Sequence, residues 1–139
     1  MSTIPETRNA RPTVLLVEDD EMLRRLLSRI LGDENFRVLE AENGDIALKL
    51  LSGLNRPPEV VLTDVAMPVM DGFQFARIFR SLYPAVPILF MTGALLQVQG
   101  TPLRDMGARV LVKPFHADVL LEAVISVLDD ERGRLGAVS

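Results

Sequence analysis

Short apolar runs alternate along this chain with stretches of helical periodicity, and that alternation constrains the fold more than any other feature. Thr13–Val17, Val60–Thr63 and Ile88–Met91 are almost continuously apolar, and turn residues bound them. A strand without polar alternation is buried on both faces, as in a parallel sheet covered by helices on each side. Arg37–Ala41 and Arg109–Val112 are shorter strand candidates. Helical periodicity fills the intervals. The first helix is predicted over about Glu21–Leu31, with Met22, Leu26, Leu27 and Ile30 inward and Gly32 closing it. Asn43-Gly44-Asp45 opens a second, with Ile46, Ala47, Leu50 and Leu51 inward. A third covers about Phe73–Ser81, offering Phe75, Ile78, Phe79 and Leu82 for burial, and the last covers about Ala117–Leu128, with Val119, Leu120, Ala123, Val124 and Val127 inward. This order predicts an α/β fold with right-handed crossovers. Gly93, Gly100 and Pro102 interrupt the interval where a fourth crossover helix belongs, so that helix is expected to be shortened or irregular.

With 139 residues the chain fits one domain, expected over residues 13–130 between disordered tails at 1–12 and 131–139. Fifteen basic against nineteen acidic residues give a formal charge of -4 with no basic block, which disfavours direct nucleic-acid binding. Arg24-Arg25, and Arg132 with Arg134, read as solvated helix or tail surface. The absence of cysteine excludes disulfides and thiolate metal sites. No segment has the apolar core of a signal peptide or the length of a membrane span. The expected setting is cytoplasmic.

In a parallel sheet the carboxyl ends of the strands share one rim, where ligands bind. This chain ends its strands there with Glu18-Asp19-Asp20, Asp64, Thr92 and Lys113, and Met67-Pro68 and Asp71-Gly72 follow Asp64. Taken singly, each has an ordinary reading. A strand-end Asp caps a loop, an acidic run complements a helix dipole, and a Lys before Pro lies on the surface. Asp20 fits the role of helix cap. Taken jointly, the carboxylates, hydroxyl and ammonium suit a divalent cation and a phosphoryl group.

As a set, these motifs resemble the receiver domain of two-component response regulators over about Thr13–Leu128. The resemblance implies a flavodoxin-like (βα)5, doubly wound, five-stranded parallel sheet of order 2-1-3-4-5. It makes Asp64 the phosphoacceptor, whose carboxylate takes the phosphoryl group of a phosphohistidine. It assigns Mg²⁺, with Mn²⁺ able to substitute, to Asp19 directly, Glu18 through water, Asp64 and the backbone carbonyl of Ala66. Thr92 becomes the switch hydroxyl and Lys113 a point charge for phosphate, with a cis Lys113–Pro114 bond. Gly72 is expected to take a positive φ. His116, the only histidine, is expected to be exposed at the start of the last helix rather than to relay phosphate.

The implied partners are a sensor histidine kinase or histidine phosphotransfer protein and a downstream protein, with homodimerisation left open. No effector domain follows Leu128 in this sequence, so output is expected through protein contacts. The implied chemistry is confined to the chain's own phosphorylation and dephosphorylation, not turnover of a substrate as an enzyme. Two departures stand out. Val110 sits three residues before Lys113, where receivers that switch through an aromatic carry Tyr or Phe. Ala66 and Ala94 offer no side chain to position water, which implies moderate or slow loss of phosphate. The alternative is a receiver-fold adaptor whose partner binding ignores phosphorylation. A carboxylate-nucleophile phosphatase is disfavoured because Ala66 stands where its acid belongs, and a flavin carrier because Glu18-Asp19-Asp20 would repel a phosphate.

Overall fold

In a computed structural model of the chain, residues 11–93 and 109–138 are described, without side chains beyond residue 130. Five strands, β1 (Thr13–Val17), β2 (Arg37–Ala41), β3 (Val60–Asp64), β4 (Ile88–Thr92) and β5 (Arg109–Val112), form one sheet in the order β2-β1-β3-β4-β5. Every pairing is parallel. The four helices among the described residues are α1 (Glu21–Asp33), α2 (Gly44–Ser52), α3 (Gly72–Leu82) and α4 (Ala117–Val138). This is the doubly wound, flavodoxin-like architecture expected from the sequence. The expected irregular helix between β4 and β5 lies outside the described residues, as does the N-terminal stretch 1–10.

Alternate strand residues feed two separate cores, because successive side chains leave a strand on opposite faces. Val14, Leu16, Val60, Leu62, Leu89 and Met91 pack beneath α1 and α4, meeting Leu27, Leu31, Leu120, Val124 and Val127. Leu15, Val17, Val61, Ile88 and Phe90 pack on the other face against Ala47 and Leu51 of α2 and Phe75, Ala76 and Phe79 of α3. Each fully buried Leu or Phe contributes roughly 1.5–3 kcal/mol of transfer free energy. Leu15, Leu16, Leu62, Phe75, Phe79 and Phe90 are all in that class.

The helix ends follow local chemistry. Asp20 caps α1 by accepting the Leu23 N–H at 3.1 Å, and Asn43 caps α2 by accepting the Ile46 N–H at 2.9 Å. Asp71 and Gln74 form a reciprocal capping box on α3. α1 does not stop at Gly32. It continues to Asp33 and reverses at Asn35, whose φ is 71°. The Phe36 N–H reaches the Leu31 carbonyl and the Asn35 N–H reaches Gly32, a Schellman closure in which Asn supplies the left-handed residue.

All four inward stripes differ from the sequence reading, Leu50 of α2 being exposed while Ala47 and Leu51 are buried. In α1 the inward set is Leu23, Leu27, Ile30 and Leu31, whereas Met22 (83% exposed) and Leu26 face out. Ile78 and Leu82 of α3 and Val119 of α4 are likewise exposed. The last helix also runs to Val138, through most of the stretch expected to be a disordered tail. Gly133 and Gly136 weaken a helix by only about 1 kcal/mol each, and no proline ends it. Arg109 on β5 holds Ser126 and Asp130, anchoring the helix just before that extension.

Candidate functional site

Sheet topology brings the strand-end residues together as the sequence implied. The carboxylates of Glu18 and Asp19 (after β1) and of Asp64 (last of β3) place one oxygen each within 4.8 Å of one another. Thr92 ends β4, buried beside them in strand order, and its carbonyl accepts the Lys113 N–H at 2.7 Å. That bond fixes the backbone from which the lysine side chain projects. The Lys113 ammonium then donates to Glu18 Oε1 at 2.9 Å and lies 3.3 Å from Asp64 Oδ1. The Lys113–Pro114 peptide is cis, as the resemblance implied.

Glu18 is held at every polar group. Its N–H donates to the Ala41 carbonyl, its Oε2 accepts the Asp20 N–H at 3.1 Å, and its carbonyl accepts from Arg24 Nη1 at 2.8 Å. Asp64 Oδ1 also accepts the Val65 N–H at 3.0 Å. Glu18 is 1% exposed and Asp64 6%, whereas Asp19 is exposed. Burial is the main reason both buried carboxyls titrate above the ordinary carboxylate range, outweighing the lowering effect of Lys113. Each is pushed further by a neighbouring charge, Asp64 on Glu18 and Asp19 on Asp64. Burial opposes the charge of Lys113, but the bond to Glu18 and the two carboxylates prevail, raising its pKa.

Three carboxylates with one ammonium leave an uncompensated negative charge in a mostly buried cleft. Oxygen-only donors of this number fit a hard divalent cation such as Mg²⁺, which takes one or two carboxylates and completes its shell with water and phosphate oxygens. The candidate set is Glu18, Asp19 and Asp64. Ala66 sits two residues past Asp64 in an exposed loop, and its carbonyl accepts no hydrogen bond from the described residues.

The loop from β3 to α3 is shaped by two residues, and the role of Gly72 differs from expectation. Gly72 is needed for close approach rather than for a positive φ. A Cβ there would lie 2.2 Å from the Asp64 carbonyl oxygen and 2.9 Å from Val65 Cα. The positive φ belongs to Val69, at 70°. The Met70 N–H bonds the Pro68 carbonyl at 2.7 Å across it, the strained form of the γ-turn. His116 is exposed just before α4, and its carbonyl accepts from Val119 and Leu120. Val110 is half-buried against the core beneath α2 and α3, opposite Phe90 in the ladder.

Sequence reasoning missed Arg24. Read as solvated surface, it has a side chain only 15% exposed, bound to the Glu18 carbonyl and to Glu40 of β2, with Nε–Oε1 at 3.3 Å. Only Arg25 is the surface residue expected, pairing with Glu21. The available signal was position: Arg24 is four residues after the Asp20 cap, beside the inward Leu23 and Leu27.

A sheet of this order with acidic, hydroxyl and lysine side chains at its carboxyl rim defines a class, and comparison with known proteins agrees. The family model for the response regulator receiver domain matches residues 14–125. The response regulator receiver protein CpdR of Brucella abortus is 36% identical over 118 residues, 83% of this chain and 95% of CpdR. The response regulator protein FleR of Pseudomonas aeruginosa is 40% identical over 115 residues, 80% of this chain but 23% of FleR. Among solved structures, the chemotaxis response regulator CheY4 of Vibrio cholerae matches with a TM-score of 0.77 at 33% identity, covering 85% of this chain and 99% of that one. The receiver domain from the hybrid histidine kinase CckA matches at 0.70 and 27% identity, covering 84% and 98%. The chain belongs to the response regulator receiver domain family of two-component systems.

Proposed function

We infer that the chain is a phosphorylation switch in which Asp64 accepts a phosphoryl group from the phosphohistidine of a sensor kinase or histidine phosphotransfer protein. The convergence of Glu18, Asp19 and Asp64 within 4.8 Å, with Lys113 against two of them, is the observation that carries it. An Asp64 oxygen forms the new O–P bond as the donor's N–P bond breaks, and the departing imidazole nitrogen takes up a proton. A Mg²⁺ ion held by Asp19, Asp64, the Ala66 carbonyl and, through water, Glu18 would neutralise phosphoryl oxygens. Lys113 exchanges its carboxylate contacts for a phosphoryl oxygen, and the Thr92 hydroxyl donates to another. Positioning and charge neutralisation supply most of what such a transfer requires.

Signalling then runs through protein contacts in the cytoplasm, where phosphohistidine donors of this kind act. No helix among the described residues is long and apolar enough to cross a membrane. The half-buried Val110 favours one alternative, an adaptor whose partner affinity ignores phosphorylation, and equal partner binding by wild type and Asp64→Asn would establish it. The phosphoacceptor itself is located by borohydride reduction after incubation with acetyl phosphate and Mg²⁺. Homoserine at position 64 is expected, and label at any other carboxylate refutes the assignment.

A further inference from the structure

We propose that Arg24 is a positioning residue for the cation site: its guanidinium fixes the peptide between Glu18 and Asp19 and so aims the Asp19 carboxylate. The inference rests on the reading of Glu18, Asp19 and Asp64 as a metal site. Glu18 needs no such help, because Ala41, Asp20 and Lys113 already hold its amide and both carboxylate oxygens. Asp19 differs. Its carboxylate accepts no hydrogen bond from the described residues, so its direction is set by the backbone that carries it. The peptide plane leading into Asp19 has its oxygen held by Arg24 Nη1 at 2.8 Å. The Asp20 cap, through Leu23, fixes the chain on the far side.

The guanidinium is itself held in place. Arg24 occupies the first turn of α1, its N–H bonded to the Asp20 carbonyl at 2.8 Å, and Glu40 on β2 grips its Nε. One side chain therefore links α1, the end of β1 and β2 at the rim. A planar fork donating in two directions does this, and a lysine ammonium cannot reproduce both bonds at once. Charge alone makes the opposite prediction: removing a cation near an acidic site should tighten cation binding, whereas removing a support for Asp19 should weaken it.

The test is a Mn²⁺ titration of the unphosphorylated full chain by electron paramagnetic resonance, with thermal melts in EDTA. Wild type, Arg24→Met, Arg24→Lys and Glu40→Gln are compared. Arg24→Met should weaken Mn²⁺ binding about ten-fold, the usual size of losing a group that orients a metal ligand. Arg24→Lys should recover part of the loss by keeping one bond to the Glu18 carbonyl, and Glu40→Gln should stay within about two-fold of wild type. Unchanged or tighter binding by Arg24→Met overturns the proposal, whatever its melting temperature. So does a wild type that holds no Mn²⁺. If Arg24→Met does not fold, Arg24→Lys decides alone, with weaker binding supporting the proposal and wild-type binding overturning it. Because the readout precedes any phosphoryl transfer, failure of Asp64 to take phosphate leaves this inference standing, and the converse also holds.

Discussion

Neutralising Asp64 should stabilise the metal-free protein, although Asp64 lies at the centre of its chemistry. At an effective dielectric of 20, a carboxylate pair 4.8 Å apart repels by about 3.5 kcal/mol, and an ammonium 3.3 Å away attracts by about 5 kcal/mol. The repulsion from Glu18 acts nearly in full, whereas that from the exposed Asp19 is screened, so attraction and repulsion roughly cancel. The remainder is the cost of keeping a 6%-exposed carboxylate ionised, which is the leading cause of its raised pKa. Asn keeps the oxygen that accepts the Val65 N–H and removes the charge. The expected gain for Asp64→Asn in EDTA is about 1–2 kcal/mol. For a chain of this length that is a rise in Tm of roughly 3–8 °C. Saturating Mg²⁺ should reverse the order, because a ligand at a hundred times its Kd adds about 2.7 kcal/mol to a protein that binds it. Differential scanning calorimetry of both proteins, with EDTA and with Mg²⁺, reads all four values. A lower Tm for Asp64→Asn in EDTA, or an equal Mg²⁺ shift in both proteins, would refute the reasoning.

Three further outcomes follow from the same geometry. Glu18 and Asp64 have folded pKa values above their unfolded ones, so their contribution to stability is full below the ordinary carboxylate range and lost as pH rises through the raised values. Protons and cation compete for the same oxygens, so Mg²⁺ affinity should fall as pH drops through that raised range; a calorimetric Kd independent of pH there would contradict this. Gly72→Ala should cost about 3 kcal/mol or more in urea unfolding, since the added Cβ meets backbone at 2.2 Å and cannot be relieved by a side-chain rotation. Val69 is 81% exposed at φ 70°, so Val69→Gly should relieve strain with no loss of packing and gain about 1 kcal/mol, unless denaturant midpoints show no shift.

Much of the site was legible because strand ends are legible. An apolar run followed by Glu18-Asp19, Asp64, Thr92 or Lys113 fixes both the strand and the rim its last residue joins, and parallel topology brings the rims together. Phase was harder to read. α1 offers Met22, Leu23, Leu26, Leu27, Ile30 and Leu31, and two adjacent stripes are nearly equally apolar; packing beneath Val14 and Leu16 selects the one through Leu23 and Leu31. Arg24 was hidden for a related reason, since a charged residue at the edge of a buried stripe looks like its solvated neighbour Arg25. The Lys113–Glu18 bond joins residues 95 apart and depends on the side-chain path across the rim, which no local pattern encodes. Gly72 was recognised as special, but close approach and positive φ leave the same glycine in a sequence.

The most direct test of the central claim is intact-mass spectrometry of wild type and Asp64→Asn after incubation with acetyl phosphate and Mg²⁺, with and without EDTA. Wild type should carry a single phosphoryl adduct, lost with EDTA and absent from Asp64→Asn. An unmodified wild type that still binds Mg²⁺, or an adduct that survives Asp64→Asn, would contradict the claim.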